Sequence, residues 1–340
     1  MCMAEKLPEC QPYLAECTKS AFAVPLRQAP AWRQRLQRRA NLAVGAALAV
    51  NFVVFWAVPI FVQGQAFHLG LKHVLVPVYN ALDRSAALRR FAAAYVYSRP
   101  QYADFAATAL LTCVSSLGAL GYALHYQRAH GCLPWQLVAA YNFLWVGFGG
   151  RTMGAAYTFA HKEGHNPLIF QRWLRRSFGN IFENWIGCLF GNVPYNFTTS
   201  HMHMHHQLDG GPGDSFYQWD LDRTSRHDFL LFVHRIFVHM TGCAPDRPPR
   251  PPARPPHPPP ARPPPADAPR CGARRYSSLR HFEAHGLWKE LGLLRRGCFA
   301  YWVVVPLVLG QLTAWSPWFL FTIWLQPLLC MGFFLALINW

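Results

Sequence analysis

Residues 297–340 read GCFAYWVVVPLVLGQLTAWSPWFLFTIWLQPLLCMGFFLALINW, without a single charged side chain. About 20 apolar residues cross the hydrocarbon core of a bilayer, so this run holds two helices, with Ser316-Pro317 as the turn between them. Working back along the chain, further uncharged apolar runs occur at 42–63, 105–124 and 133–150. Gln127 to Pro134 is a short turn between the second and third. The expected fold is therefore an all-α membrane protein. Two transmembrane helical hairpins, 105–150 and 297–340, carry between them the polar stretch from Lys162 to Arg296.

Composition agrees. Of 340 residues, 52% are hydrophobic and only 14% charged, which argues against a soluble chain. The formal charge is +16, but Pro245–Arg275 has seven arginines against two aspartates, a net +5, leaving +11 elsewhere. Much of the remainder flanks apolar spans, as the positive-inside rule expects, and no basic surface with interleaved aromatics appears. Nucleic acid is not an expected partner. The ten cysteines form no CxxC pair, so neither a disulfide framework nor a zinc ribbon is supported.

The expected organisation is a basic flank at 1–41, an extra apolar segment at 42–63, and a first hairpin with histidine clusters over 105–243. A Pro/Arg-rich insertion at 244–275 and a second hairpin over 276–340 follow. Residues 245–269 hold 14 of the 28 prolines and cannot build a core; a disordered linker is expected. Segment 42–63 reads equally as a span or as a re-entrant segment. Residues 181–195 are apolar but too short to cross, and read as a helix in the membrane interface. The Lys/Arg excess of 162–296 puts that stretch in the cytosol, where the sequon Asn196-Phe-Thr198 should stay unmodified. The Arg-rich, acid-free stretch 18–40 leaves a plastid destination open, although a cytosolic flank is the simpler reading.

Two histidine clusters, HKEGH at 161–165 and HMHMHH at 201–206, lie beside these apolar runs. On a helix His161 and His165 are four apart and share a face, the separation that two ligands to one metal need. His201 and His205 repeat that spacing and His206 follows directly. His203 sits about 200° round a helix from His201, which suggests a supporting role. Imidazole suits iron, zinc, copper and nickel alike. A zinc protease would need H-E-x-x-H, and Lys162 occupies the glutamate position. His281 and His285 in HFEAH have the spacing too, but in a charged stretch where it arises by chance. A His-rich transporter or storage loop would be aperiodic, unlike these clusters.

H-x3-H followed about forty residues on by H-x3-HH, each next to a membrane helix, resembles the first two histidine boxes of the integral-membrane fatty-acid desaturase family. The resemblance covers roughly 105–340 without the insertion. It implies iron ligands at His161, His165, His201, His205 and His206, two iron ions, O₂, and a fatty-acyl lipid substrate that acquires a double bond. No HPGG haem element is present, so electrons are expected from cytochrome b5 or ferredoxin. The implied location is the endoplasmic reticulum membrane, with the boxes cytosolic. The family's third box, H-x2-HH or Q-x2-HH, is not found after His206, and LINW resembles the start of an N-x3-H element with Asn339 as its asparagine. The expectation is a chain truncated before box three. A membrane hydroxylase acting on sterols, carotenoids or fatty acids, or an inactive homologue, are the alternatives; the forty-residue gap favours a desaturase.

Overall fold

The computed structural model describes residues 31–147, 151–166, 168–211, 214, 216–219, 221–241 and 277–340. The Pro/Arg-rich insertion and the first thirty residues lie outside the described residues. Those described are helical almost throughout, in the order α1 (Ala31–Phe52), α2 (Val58–Ala66), α3 (Lys72–Asp83), α4 (Ala86–Phe91), α5 (Ala106–His130), α6 (Trp135–Val146), α7 (Arg151–His165) and α8 (Arg172–Phe178), then α9 (His206–Leu208), α10 (Arg226–Thr241), α11 (Ser278–Ala284), α12 (Trp288–Phe299), α13 (Val305–Leu312), α14 (Pro317–Leu320) and α15 (Gln326–Asn339). Among the described residues there is no strand, only an isolated antiparallel bridge between Tyr97 and Phe170.

Among the described residues, four helical stretches are long and apolar enough to cross a membrane: Ala43–Asp83, Pro100–His130, Trp288–Leu312 and Pro317–Asn339. Their outward faces carry Val44, Val50, Val54, Phe61 and Val62 on the first, Leu110, Val114 and Leu117 on the second, and Phe299, Leu307 and Val308 on the third, all exposed. Such faces are unfavourable in water and suited to lipid. The fourth differs, with 61% of its apolar window buried against 22% to 28% for the others. It is the central helix.

The apolar run at 42–63 belongs to a helix that continues without a turn from Ala31 to Ala66 through a π-helical stretch at Val53–Ala57. The expected flank 1–41 thus becomes helical at Ala31. The run at 133–150 departs further from expectation. It forms α6, only 12 residues long and stopped at Gly147, about 18 Å against a hydrocarbon core of about 30 Å. The return arm of the first expected hairpin is accordingly a half-length helix.

Polar and aromatic contacts fasten the first span to the last. Asn51 Nδ2 donates across to Cys330 Sγ at 3.2 Å, where Gln326 Nε2 of the same last helix also donates at 3.0 Å, and Gln63 ties the first span to α6 by donating to the carbonyl of Phe143. In an apolar surrounding such groups join helices, because lipid offers them no partner. Trp56, fully buried, packs edge-on against Phe334 and next to Trp145, whose indole stacks on Phe190 and donates to the carbonyl of Leu189 at 2.7 Å.

That aromatic line ends in residues 181–195. The expected surface helix is instead a buried wedge, a π-turn at Phe182–Ile186 followed by a 3-10 turn at Gly187–Phe190. Phe182, Ile186, Phe190 and Val193 are buried and only Trp185 is largely exposed. At its end Gly191 has φ +78° and faces the backbone of Leu328, so a Cβ would lie 2.5 Å from Leu328 Cα.

Gly191→Ala should therefore destabilise the protein by roughly 2–4 kcal/mol, adding backbone strain to a steric clash. Gly131→Ala, with φ +73° and nothing within 4 Å of the added methyl, should cost only about 1 kcal/mol of strain. Thermal unfolding in detergent compares the two; equal losses would mean that the wedge is not seated on the last span.

Candidate metal centre

α7 presents His161 and His165 one turn apart, with their Nε2 atoms 2.9 Å from each other. The partner element runs from Phe197 to His205 as a π-helix: His201 N–H donates to the carbonyl of Asn196, five residues back, at 3.0 Å, and His206 N–H to that of His201. This wider turn decides which histidines meet. At the α-helical 3.6 residues per turn, His206 would lie about 140° from His201; at about 4.4 it lies only about 50° away.

The result is a convergence of four Nε2 atoms. His201 Nε2 lies 2.7 Å from that of His161 and 3.3 Å from that of His165, and His206 Nε2 lies 3.1 Å from that of His165 and 3.0 Å from that of His201. A neutral imidazole offers at Nε2 either a proton or a lone pair, so five short contacts cannot all be hydrogen bonds. One cation at their centre satisfies all four lone pairs. Four nitrogens about 2.0–2.1 Å from a tetrahedral ion would be about 3.3–3.4 Å apart, so a small outward relaxation suffices. The four are the one group among the described residues whose ligand atoms converge in this way.

Electrostatics keep the rings in the ligating form. Burial, reinforced by the neighbouring imidazoles, pushes His161 down to about 4 and His201 down to about 2, and burial lowers His165 as well. His161 and His201 are thereby held neutral at physiological pH, as metal ligation requires.

Two buried carboxylates set the geometry. Glu163, between the two ligands of α7, accepts the backbone N–H of Phe182 at Oε1 (3.0 Å) and that of Glu183 at Oε2 (2.7 Å), capping the wedge. Glu183 in turn accepts the backbone N–H of Thr198 at Oε1 (2.7 Å) and, at Oε2, the Thr198 hydroxyl (2.6 Å) and the Asn180 amide (2.7 Å). Burial raises both, while the N–H groups that both oxygens of Glu163 accept pull the other way and favour the ionised form. Gly164 lets the two histidine elements touch, since a Cβ there would lie 2.5 Å from Phe197 Cβ and 2.9 Å from its carbonyl carbon. The sequence flags none of these three roles.

The remaining candidates lie elsewhere. His205 is not one of the four: its Nδ1 is 2.6 Å from Asp214 Oδ2, and its ring packs on Phe216. The widened turn explains this, since neighbouring residues on it diverge and only one of the His205–His206 pair can face α7. His203 is outside the group, and its backbone is hydrogen-bonded by the ring of His281. His281 and His285, on and just after α11, pack against each other with ring centres 4.2 Å apart and do not join the four. Asn339 donates to the carbonyl of Leu335 on its own helix at 2.7 Å. The sequon is a poor reporter of topology: Asn196 is 5% exposed, and the Thr198 hydroxyl is engaged by Glu183.

Two outcomes follow from this geometry. Gly164→Ala should force the elements apart and weaken metal binding by about tenfold or more, whereas Gly154→Ala, on the same helix with open space around it, should not. Competition with a chelator measures both, and equal affinities would refute the close-approach argument. The second concerns pH. A histidine neutral in the fold and protonated when unfolded stabilises fully above about pH 6.5, and that stability is lost as pH falls below it. In chelator-treated protein, the stability advantage of the wild type over His201→Gln should therefore shrink from about pH 8 to about pH 5. A constant difference would show that His201 is not held neutral.

Against known proteins, no protein-family model, no curated protein and no solved structure matches the chain.

Proposed function

We propose that this chain is an integral-membrane oxidoreductase of the histidine-box type, acting on a fatty-acyl lipid as an O₂-dependent desaturase. The observation that carries the reading is the meeting of four imidazoles, from two helical elements, beside helices long enough to span a bilayer. The desaturase class comes from the resemblance of the two histidine boxes and their spacing. Iron, when bound, supplies the activation of O₂ that hydrogen removal from an unactivated methylene needs.

The chain's own part is ligation, orientation and dryness. His161, His165, His201 and His206 would hold one ion through their Nε2 atoms. Glu163 and Glu183 fix the angle between the ligand-bearing elements. The wedge and the last span close the inner side against water with Phe182, Ile186 and Phe190. The described residues thus bring together ligands for one ion of the expected pair. The Lys/Arg excess of 162–296 supports a cytosolic face for the site, in the endoplasmic reticulum, with cytochrome b5 or ferredoxin as electron donor.

The test is product analysis in membranes that express the chain together with an electron donor. The expected product is an acyl chain two hydrogens poorer, absent in His161→Ala and His206→Ala. An acyl or sterol product carrying one more oxygen would replace desaturation by hydroxylation. Unchanged lipids together with one tightly held, redox-silent ion would sink the oxidoreductase reading.

A further inference from the structure

Asp214 is a charged residue that the four-histidine cluster does not use. It is fully buried, in the loop that follows α9, and among its described contacts its carboxylate accepts Gly210 N–H at 3.1 Å and the His205 ring at 2.6 Å on Oδ2, and Phe216 N–H at 3.0 Å on Oδ1. An ionised carboxylate is an acceptor only, so the 2.6 Å contact puts the ring proton of His205 on Nδ1. The lone pair is then on Nε2. Among the described contacts that nitrogen has no hydrogen-bond partner, and the His205 ring centre lies 5.2 Å from that of His201 and 5.6 Å from that of His206. A fifth imidazole is thus held beside the four, in the tautomer a metal takes.

We propose that Asp214 is a positioning residue of the metal centre, which acts through His205 by fixing its Nδ1–H tautomer so that Nε2 serves as a further metal ligand. The proposal rests on the metal-centre reading and deepens it. Carboxylates hydrogen-bonded to ligating histidines orient the ring and raise its basicity, and their loss typically weakens metal binding about 10–100-fold. The arrangement also assigns the two adjacent histidines distinct duties. His206 faces α7, and His205 answers to Asp214.

A double-mutant cycle with Co²⁺ as probe tests this on the full chain in detergent or nanodiscs, reading affinity by chelator competition and coordination by the visible ligand-field spectrum. Asp214→Asn should weaken Co²⁺ binding by about 10-fold or more and change the spectrum. In a His205→Ala background the same substitution should do neither, because the residue through which it acts is gone. His205→Ala alone, which leaves the bonds of Asp214 to Gly210 and Phe216 in place, should by itself lower affinity and shift the spectrum. An unaltered spectrum in His205→Ala overturns the proposal. So does an Asp214→Asn effect that persists without His205, which would make Asp214 a loop fastener acting through the two amides. In either case the four-histidine site stands. Failure of the wild type to bind Co²⁺ would remove the metal-centre reading itself, and this proposal with it.

Discussion

Glu163 closes both carboxylate oxygens on the backbone N–H groups of Phe182 and Glu183, and the geometry of the site hangs on that contact. It joins the first histidine helix to the start of the wedge. Glu183 then repeats the move on Thr198, at the start of the second histidine element. Three segments that share no regular ladder are thereby fixed by two buried acids, each satisfied by backbone or side-chain donors. Burying a carboxylate costs several kcal/mol unless it is bonded in this way, so the arrangement is either complete or strongly unfavourable. Such all-or-none behaviour suits a site whose four nitrogens must meet within a few tenths of an ångström.

Much of the fold was legible in the sequence because membrane spans announce themselves by length and charge alone. Two helices long and apolar enough to cross a membrane, Trp288–Leu312 and Pro317–Asn339, fall on that last run and part just before Pro317, since an uncharged stretch of that length has few alternatives to helix. The run at 133–150 misled because hydropathy does not register a helix stopped at a glycine, and Gly147 divides that run. The wedge misled for a related reason. Its apolar residues suit a membrane surface as well as a protein interior, and only the contact of Gly191 with Leu328 distinguishes the two.

At the site, the α-helical pair His161/His165 follows from spacing, while the second element does not. Periodicity arguments assume 3.6 residues per turn, and a π-helix arises from hydrogen-bond register, which composition does not encode. Spacing groups His205 with His201; the structure puts His206 there and gives His205 to Asp214. Asp214 itself was invisible, a polar residue in a glycine-rich loop until the fold buried it.

The deep burial of the last helix has a temporal consequence. The four histidines are all synthesised by residue 206, yet the wedge that sets the angle between them rests on Pro327 and Leu328. Helices with lipid-compatible faces insert singly, whereas one that hides most of its surface among its neighbours gains its stability only on assembly. The geometry in which these four histidines meet is thus completed only once that helix has packed, well after all four have been translated.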